Sequence, residues 1–321
     1  MSITEILQII VPSMIALAAP LIFTALGGVF SERSGVVNIG LEGLMVFGAF
    51  SSIVFNLTFG DTLGHLTPWI SILVAMVVGM IFSLLHGLAS ITFRANQVVS
   101  GVAINFLATG LCLFLVKLFY DKGQTDMIPQ ETAFNKVDIP VLSDIPFIGD
   151  IFFSKVYYIS YIAIIIPFIA WYVLFKTPFG LRIRAVGEHP MAADTMGVNV
   201  TKIRYVSVMI SGAFAGIGGA IHAITVTSDF SHATINGQGF MALAAMIFGK
   251  WHPLGALGAA LFFGLAQSLS IVGASLPFFK DIPSVYLLIA PYVLTIIALA
   301  GFIGRADAPK ASGEPYIKGS R

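Results

Sequence analysis

The sequence predicts an all-α, polytopic membrane protein of about nine transmembrane helices, and two observations carry that expectation. Of 321 residues, 57% are hydrophobic and only 10% charged, with a mean hydropathy of +0.92. Soluble domains carry roughly a quarter charged residues, so this chain has too few to clothe a water-facing surface. The second observation is the length of its apolar runs. Eight of them, at 6–29, 36–59, 69–93, 98–116, 156–175, 205–227, 254–273 and 284–303, reach about the 20 residues that a helix needs to cross the hydrocarbon core. A further run at 240–249 is too short to cross unless it tilts, extends or re-enters. Nine crossings are preferred, with eight to ten compatible with the pattern. The N-terminus lacks the basic flank of a cleavable signal peptide.

The charges set the orientation. Across the eight runs Glu42 is the only carboxylate, and neither Lys nor Arg occurs. With nine crossings and a cytoplasmic C-terminus, Arg33, Arg94, Lys176, Arg182, Arg184, Lys202, Arg204, Lys250, Arg305, Lys310, Lys318 and Arg321 fall inside. Lys117, Lys122, Lys136, Lys155 and Lys280 fall outside. That asymmetry obeys the positive-inside rule and places the N-terminus outside. The domain plan is therefore a transmembrane body over 1–304, with an acidic external loop at 120–155 and a basic cytoplasmic loop at 176–204. A polar tail, 305–321, follows and is read as disordered.

Within the cytoplasmic loop, Thr177-Pro178-Phe179-Gly180 reads as a turn. Pro190 opens a short helix, where its missing N–H costs nothing, and Gly197 closes it. The helix presents Ala192, Ala193 and Asp194, with Glu188 and His189 before it. Small side chains permit close approach, so this helix is shaped to seat in a groove of a cytoplasmic partner; as an alternative, the loop only sets topology.

Polar residues within the apolar runs mark the candidate path. Ser34, Asn38 and Glu42 lie in a glycine-interrupted stretch, Ser31-Glu32-Arg33-Ser34-Gly35-Val36-Val37-Asn38-Ile39-Gly40-Leu41-Glu42-Gly43, with Asn38 and Glu42 one helical turn apart. An ionisable group inside a span is a functional hypothesis by default; the alternative is that Glu42 pairs with a neighbouring helix or backbone amides. Asn96, Gln97, Ser100 and Asn105 open the fourth span and either bridge helices or line a polar path. Asn236-Gly237-Gln238-Gly239 precedes the short run, which is the form of a broken helix beside a translocation path, or else an external hairpin. Gly212, Gly216, Gly219 and Ala223 in the sixth span recur at helix-packing spacing.

Several functions are excluded. A net charge of +1 offers no field for nucleic acid. The single cysteine, Cys112, forbids a disulfide framework. There is no P-loop sequence for ATP hydrolysis, no HExxH metal motif and no Gly-x-Ser-x-Gly elbow, so neither a resident metal nor a cofactor is expected. His86 and His222 lie within spans, where interhelical hydrogen bonding is the expected role.

The run from Thr177 through Val200, together with Ser31 to Gly43 and Gly239-Phe-Met-Ala-Leu-Ala-Ala-Met-Ile-Phe-Gly-Lys-Trp-His-Pro-Leu-Gly-Ala, resembles bacterial ABC-type importer permeases of the branched-chain amino acid and ribose type. The second and third segments resemble the nucleoside-uptake branch of that family. The resemblance implies a multi-pass permease of the cell membrane, not an enzyme itself. It would translocate nucleosides by alternating access, driven by separate cytoplasmic ATPase subunits. It also implies a second permease subunit, usually a different chain, and an external substrate-binding lipoprotein. The family's coupling helix maps onto 189–197, although Met191-Ala192-Ala193 stands where classical importers have Glu-Ala-Ala. Alternatives are a permease for simple sugars or branched-chain amino acids, an ion-coupled secondary transporter using Glu42, and a non-transporting membrane scaffold.

Overall fold

The structure, a computed structural model, describes residues 3–273 and 308–319, with the isolated positions 286, 289 and 293. The span expected at 284–303, with Lys280, Arg305 and Arg321, lies outside the described residues apart from those three positions. The described residues are mostly helical, with two isolated β-bridges and no strand among them. Six helical stretches are long and apolar enough to cross a membrane, and one of them runs 52 residues, Leu41–Thr92. That stretch is a hairpin. Its first arm, α2 (Leu41–Leu63), ends at Gly64, whose φ of 53° favours glycine. Pro68 then opens the second arm, α3 (Thr67–Gly87), which packs back on α2.

The remaining helices follow from local sequence. α1 (Ile3–Arg33) keeps Pro12 and Pro20 in its interior, as spans do when neighbouring helices satisfy the freed backbone. Asn96 caps α4 (Gln97–Tyr120) by accepting from the amides of Val98 and Val99. α5 spans Tyr158–Lys176, and α8 (Val200–His222) is capped by Asn199. The short run becomes α9 (Gln238–Phe248), and α10 spans Pro253–Val272.

α1 and α8 form the buried centre, and α8 packs against α1, α2 and α3. The glycine row in α8 makes this possible. A Cβ on Gly216 would sit 2.3 Å from the Ala75 carbonyl of α3, and one on Gly219 would sit 2.0 Å from the Met45 carbonyl of α2. No larger residue fits at that separation, which is the packing logic expected of the row.

Four features differ from the sequence expectation. The second span begins at Leu41 rather than 36, because Gly35 (φ 88°) and the Asn38–Gly40 segment hold 34–40 out of the helix. Thr177–Gly180 is no isolated turn: Thr177 accepts from the Gly180 amide and Pro178 takes the first position of α6 (Pro178–Glu188). The sixth span starts five residues early, so Lys202 and Arg204 lie on α8. Finally, residues 308–319 of the tail are docked against the body: the amides of Ala311 and Gly313 donate to the carbonyls of Gly187 and Gly35 at 2.9 and 3.2 Å.

The alternation of helices gathers the charges. Arg33, Arg94, Lys176, Arg182, Arg184, Lys202, Arg204, Lys250, Lys310 and Lys318 lie at one end of the bundle, tied together by contacts such as Arg33 to the Trp251 carbonyl and Thr92 to Tyr205. Lys117, Lys122, Lys136 and Lys155 lie at the other, where the 121–157 loop bridges through Gln124 to Ser231 and Asn56 bonds the Thr132 carbonyl.

Candidate functional site

Two interrupted elements meet inside the bundle. The first is the unwound stretch 34–40, which reaches far below the charged end. Asn38 donates to Ser211 at 2.9 Å, and Ser211 lies eleven residues into α8, about 16 Å along its axis. Backbone at that depth must be satisfied by protein, and here it is. Gln97 accepts from the Val37 amide at 2.7 Å, and His86 Nε2 lies 2.9 Å from the Val37 carbonyl. Asn105 donates to the Ile39 carbonyl and accepts from the Gly43 amide at 3.1 and 2.7 Å.

The second element is α9, whose eleven residues cover about 16 Å, half a membrane. Its N-terminus points free amides at Glu42. The carboxylate accepts from Gly237 at 2.7 Å and Gly239 at 2.6 Å, with a further bond from the Phe240 amide. A negative charge at the positive end of a helix dipole, with three amide donors, is a favourable way to hold a carboxylate at this depth. Glu42 therefore fastens the start of α2 to the start of α9.

A cavity of about 480 Å³ opens beside this junction, within the size range of small-molecule sites. Glu42, Asn105, Asn236, Ser231 and His232 give it a polar side; Phe106, Phe230 and Phe240 give it an aromatic one. Of the residues expected along the path, the structure brings Glu42, Asn105 and Asn236 onto this cavity. Ser34 turns back to the Ser31 carbonyl, Asn38 and Gln97 support the unwound stretch, Asn96 caps α4, and Gln238 accepts from Gln267 of α10. Sequence reasoning missed Ser231, His232 and the three phenylalanines. The polar run 228–236 before the short helix was the available signal for the first two; the aromatics are indistinguishable in sequence from lipid-facing ones.

At the charged end, the short helix forms as α7 (Pro190–Thr195), with His189 in the cap position and Gly197 at φ 83°. Ala193 is buried, whereas Met191, Ala192, Thr195 and Met196 form its exposed ridge. Asp194 is hydrogen-bonded by Tyr316 of the tail, and Glu188 sits near Arg33. Nearby, the α9–α10 turn carries Lys250 and Trp251 at φ 55° and 51°, a costly conformation for side-chain-bearing residues. Two contacts from the end of α1 hold it: the Trp251 indole donates to Glu32 at 2.5 Å, and Arg33 donates to the Trp251 carbonyl at 2.8 Å. Burial, then the Arg33 guanidinium, holds the His252 imidazole below its usual range.

Comparison with known proteins places this architecture. The family described as branched-chain amino acid transport system / permease component matches residues 10–299. The chain belongs to that family. This permease is 68% identical, over the full length of both chains, to the guanosine ABC transporter permease protein NupQ of Bacillus subtilis. It is 52% identical to the nucleoside ABC transporter permease protein NupC of Lactococcus lactis, with 99% of each chain covered. A solved structure described as an ABC transporter of the metal-chelate type, inward-facing, shares the fold with a TM-score of 0.50 at 16% identity, covering 90% of this chain and 85% of that one. The permease is thus a multi-pass membrane protein and a transport subunit.

Proposed function

We propose that this permease carries nucleosides across the cell membrane and that the cavity beside Glu42 is where the solute rests. The observation that carries this reading is the two-sided lining. Phe106, Phe230 and Phe240 offer faces for a flat base, while Glu42, Asn105, Asn236 and His232 offer hydrogen-bonding groups for a ribose and for base edges. Relatives named for guanosine and nucleoside transport support the same class. Glu42 already accepts three amide bonds, which weighs against its serving as the coupling carboxylate of an ion-driven carrier. Ser34, Asn38, Asn96, Gln97 and Gln238 act in this reading by holding the broken elements that frame the path.

The chain crosses nine times, with the N-terminus outside and the C-terminus cytoplasmic, because the gathered cations then face inward. It works with a second permease subunit, with ATPases that dock on α7 from the cytoplasm, and with an external binding lipoprotein that docks on the 120–155 loop. ATP binding moves the docked α7, and the bundle alternates its access to the cavity. The test is uptake of labelled guanosine and uridine, with ribose and leucine as controls, in cells lacking this chain and its redundant routes. Loss of nucleoside uptake alone is expected; loss of ribose or leucine uptake instead reassigns the solute, and unchanged nucleoside uptake removes the reading.

A further inference from the structure

The tail segment 308–319 is stitched to α6, α7, α8 and the turn between α1 and α2 at the charged end. Ala311, 4% exposed, donates its amide to Gly187 at the end of α6, and Gly313 donates to Gly35 in the turn between α1 and α2. Arg204 of α8 reaches the Glu314 carbonyl at 2.9 Å. Tyr316 packs on the core and hydrogen-bonds Asp194 of α7. The contact at Gly35 is close enough that a Cβ there would lie 2.9 Å from Arg204 Nη2 and 3.0 Å from the Ala311 carbonyl oxygen.

Two features show that this docking is more than a tail lying on a surface. Arg204 is 1% exposed, its Nε and Nη2 have no hydrogen-bond partner among the described residues, and the charge that faces it is Glu314 of the segment itself. A guanidinium is expensive to bury unless it is paired, and the docked segment both covers this one and supplies its compensation through Glu314. The segment also supplies α7 with a second link to the turn between α1 and α2, beside the one through α6, whose Gly187 lies against the backbone of Arg33 and Gly35. With six residues and one buried side chain, α7 rests mainly on α6 and α8. Through Tyr316 and Gly313 it is connected to the unwound stretch 34–40, which leads directly to Glu42 and so to α9.

We propose that segment 308–319 is a transmission strap: it ties α7 to the turn preceding Glu42, so that displacement of α7 reaches the cavity in full only while the strap is docked. This rests on the reading of α7 as the ATPase-coupling helix. Tyr316 and Ala311 are then positioning residues, acting on the cavity through Gly35 and the start of α2.

The test uses the full complex, with its partner permease and ATPase, in lipid vesicles. A cysteine placed at Val102, on the cavity wall, reports solvent access through its reaction with a water-soluble thiol reagent; native Cys112 is buried and silent. In the otherwise unchanged chain, a non-hydrolysable ATP analogue is expected to change the labelling rate several-fold. A chain ending at 307, and Ala311→Arg in the full chain, are expected to lose most of that response while still co-purifying with the ATPase. Tyr316→Phe, which keeps the ring and loses only the bond to Asp194, is expected to lose part of it. A response equal to that of the unaltered strap in Ala311→Arg and Tyr316→Phe overturns the proposal, whether or not the truncated chain reaches the membrane. An unaltered strap with no response to nucleotide overturns it together with the α7 assignment. Guanosine uptake in the same vesicles separates the two levels. Strap-dependent response without nucleoside uptake removes the solute assignment alone, whereas uptake with strap-independent response removes the strap alone.

Discussion

Glu42 shows how much a single residue contributes and how much of it sequence discloses. Its position as the one carboxylate within a predicted span marks it at once. Its partners are invisible to sequence, because the Gly237 and Gly239 amides lie 195 and 197 residues away, and only the fold brings a helix start to meet it. Glu42→Gln keeps the shape but loses the charge, and turns an NH2 group or a weaker acceptor toward amide donors. A charge-assisted bond is worth about 2 kcal/mol, so nucleoside uptake is expected to fall at least tenfold with the protein still in the membrane; uptake within twofold of the parent contradicts the capping role. Gly219 tests packing at the same scale. Gly219→Ala places a methyl 2.0 Å from the Met45 carbonyl and is expected to destabilise the bundle by about 1–3 kcal/mol, seen as a lower thermal midpoint of the purified chain. An unchanged midpoint means that α2 and α8 are not in such close contact.

At the scale of elements, the long helices and α7 were legible because hydrophobic run length and a proline-to-glycine frame encode them locally. The unwound stretch was half legible: its glycines and Asn38 announced an interruption, but its depth depends on Gln97, His86 and Asn105 from other helices. The exposed ridge of α7 also required the fold, since Ala192 and Ala193 are equivalent as sequence yet only Ala193 is buried. Ala192→Arg is therefore expected to weaken ATPase co-purification while leaving the permease folded; normal co-purification together with normal uptake contradicts docking at this ridge. The α9–α10 turn adds a pH dependence. His252 is held below its usual range, so the unfolded chain takes up that proton first as pH falls through about 6.5. Stability contributed by neutral His252 is present above that pH and is lost below it. The thermal midpoint is expected to drop between pH 7 and 5, and to drop less in His252→Gln; equal drops contradict it.

For the whole molecule, scarcity of charge identified the membrane and the positive-inside rule sorted the loops, and the structure then collected the described cations of each sorted set at one end. The docking of 308–319 escaped sequence reasoning because a polar, Gly- and Pro-containing tail has the composition of a disordered one, and its partners at Gly35, Gly187 and Arg204 are set by tertiary packing. The solute's identity lies beyond composition altogether and rests on the cavity's lining and on the relatives. We propose passage of nucleosides through the cavity at Glu42, driven by a separate ATPase. Its most direct measurement is ATP-driven accumulation of labelled guanosine in vesicles that hold the complete complex, compared between the parent chain and Phe240→Ala. The parent is expected to accumulate guanosine only with ATP, and Phe240→Ala is expected to raise the concentration needed for half-maximal uptake about tenfold, in line with 1–3 kcal/mol for a lost base–aromatic stack. Accumulation independent of ATP, or an unchanged concentration dependence in Phe240→Ala, would rule out ATP-driven passage through this cavity.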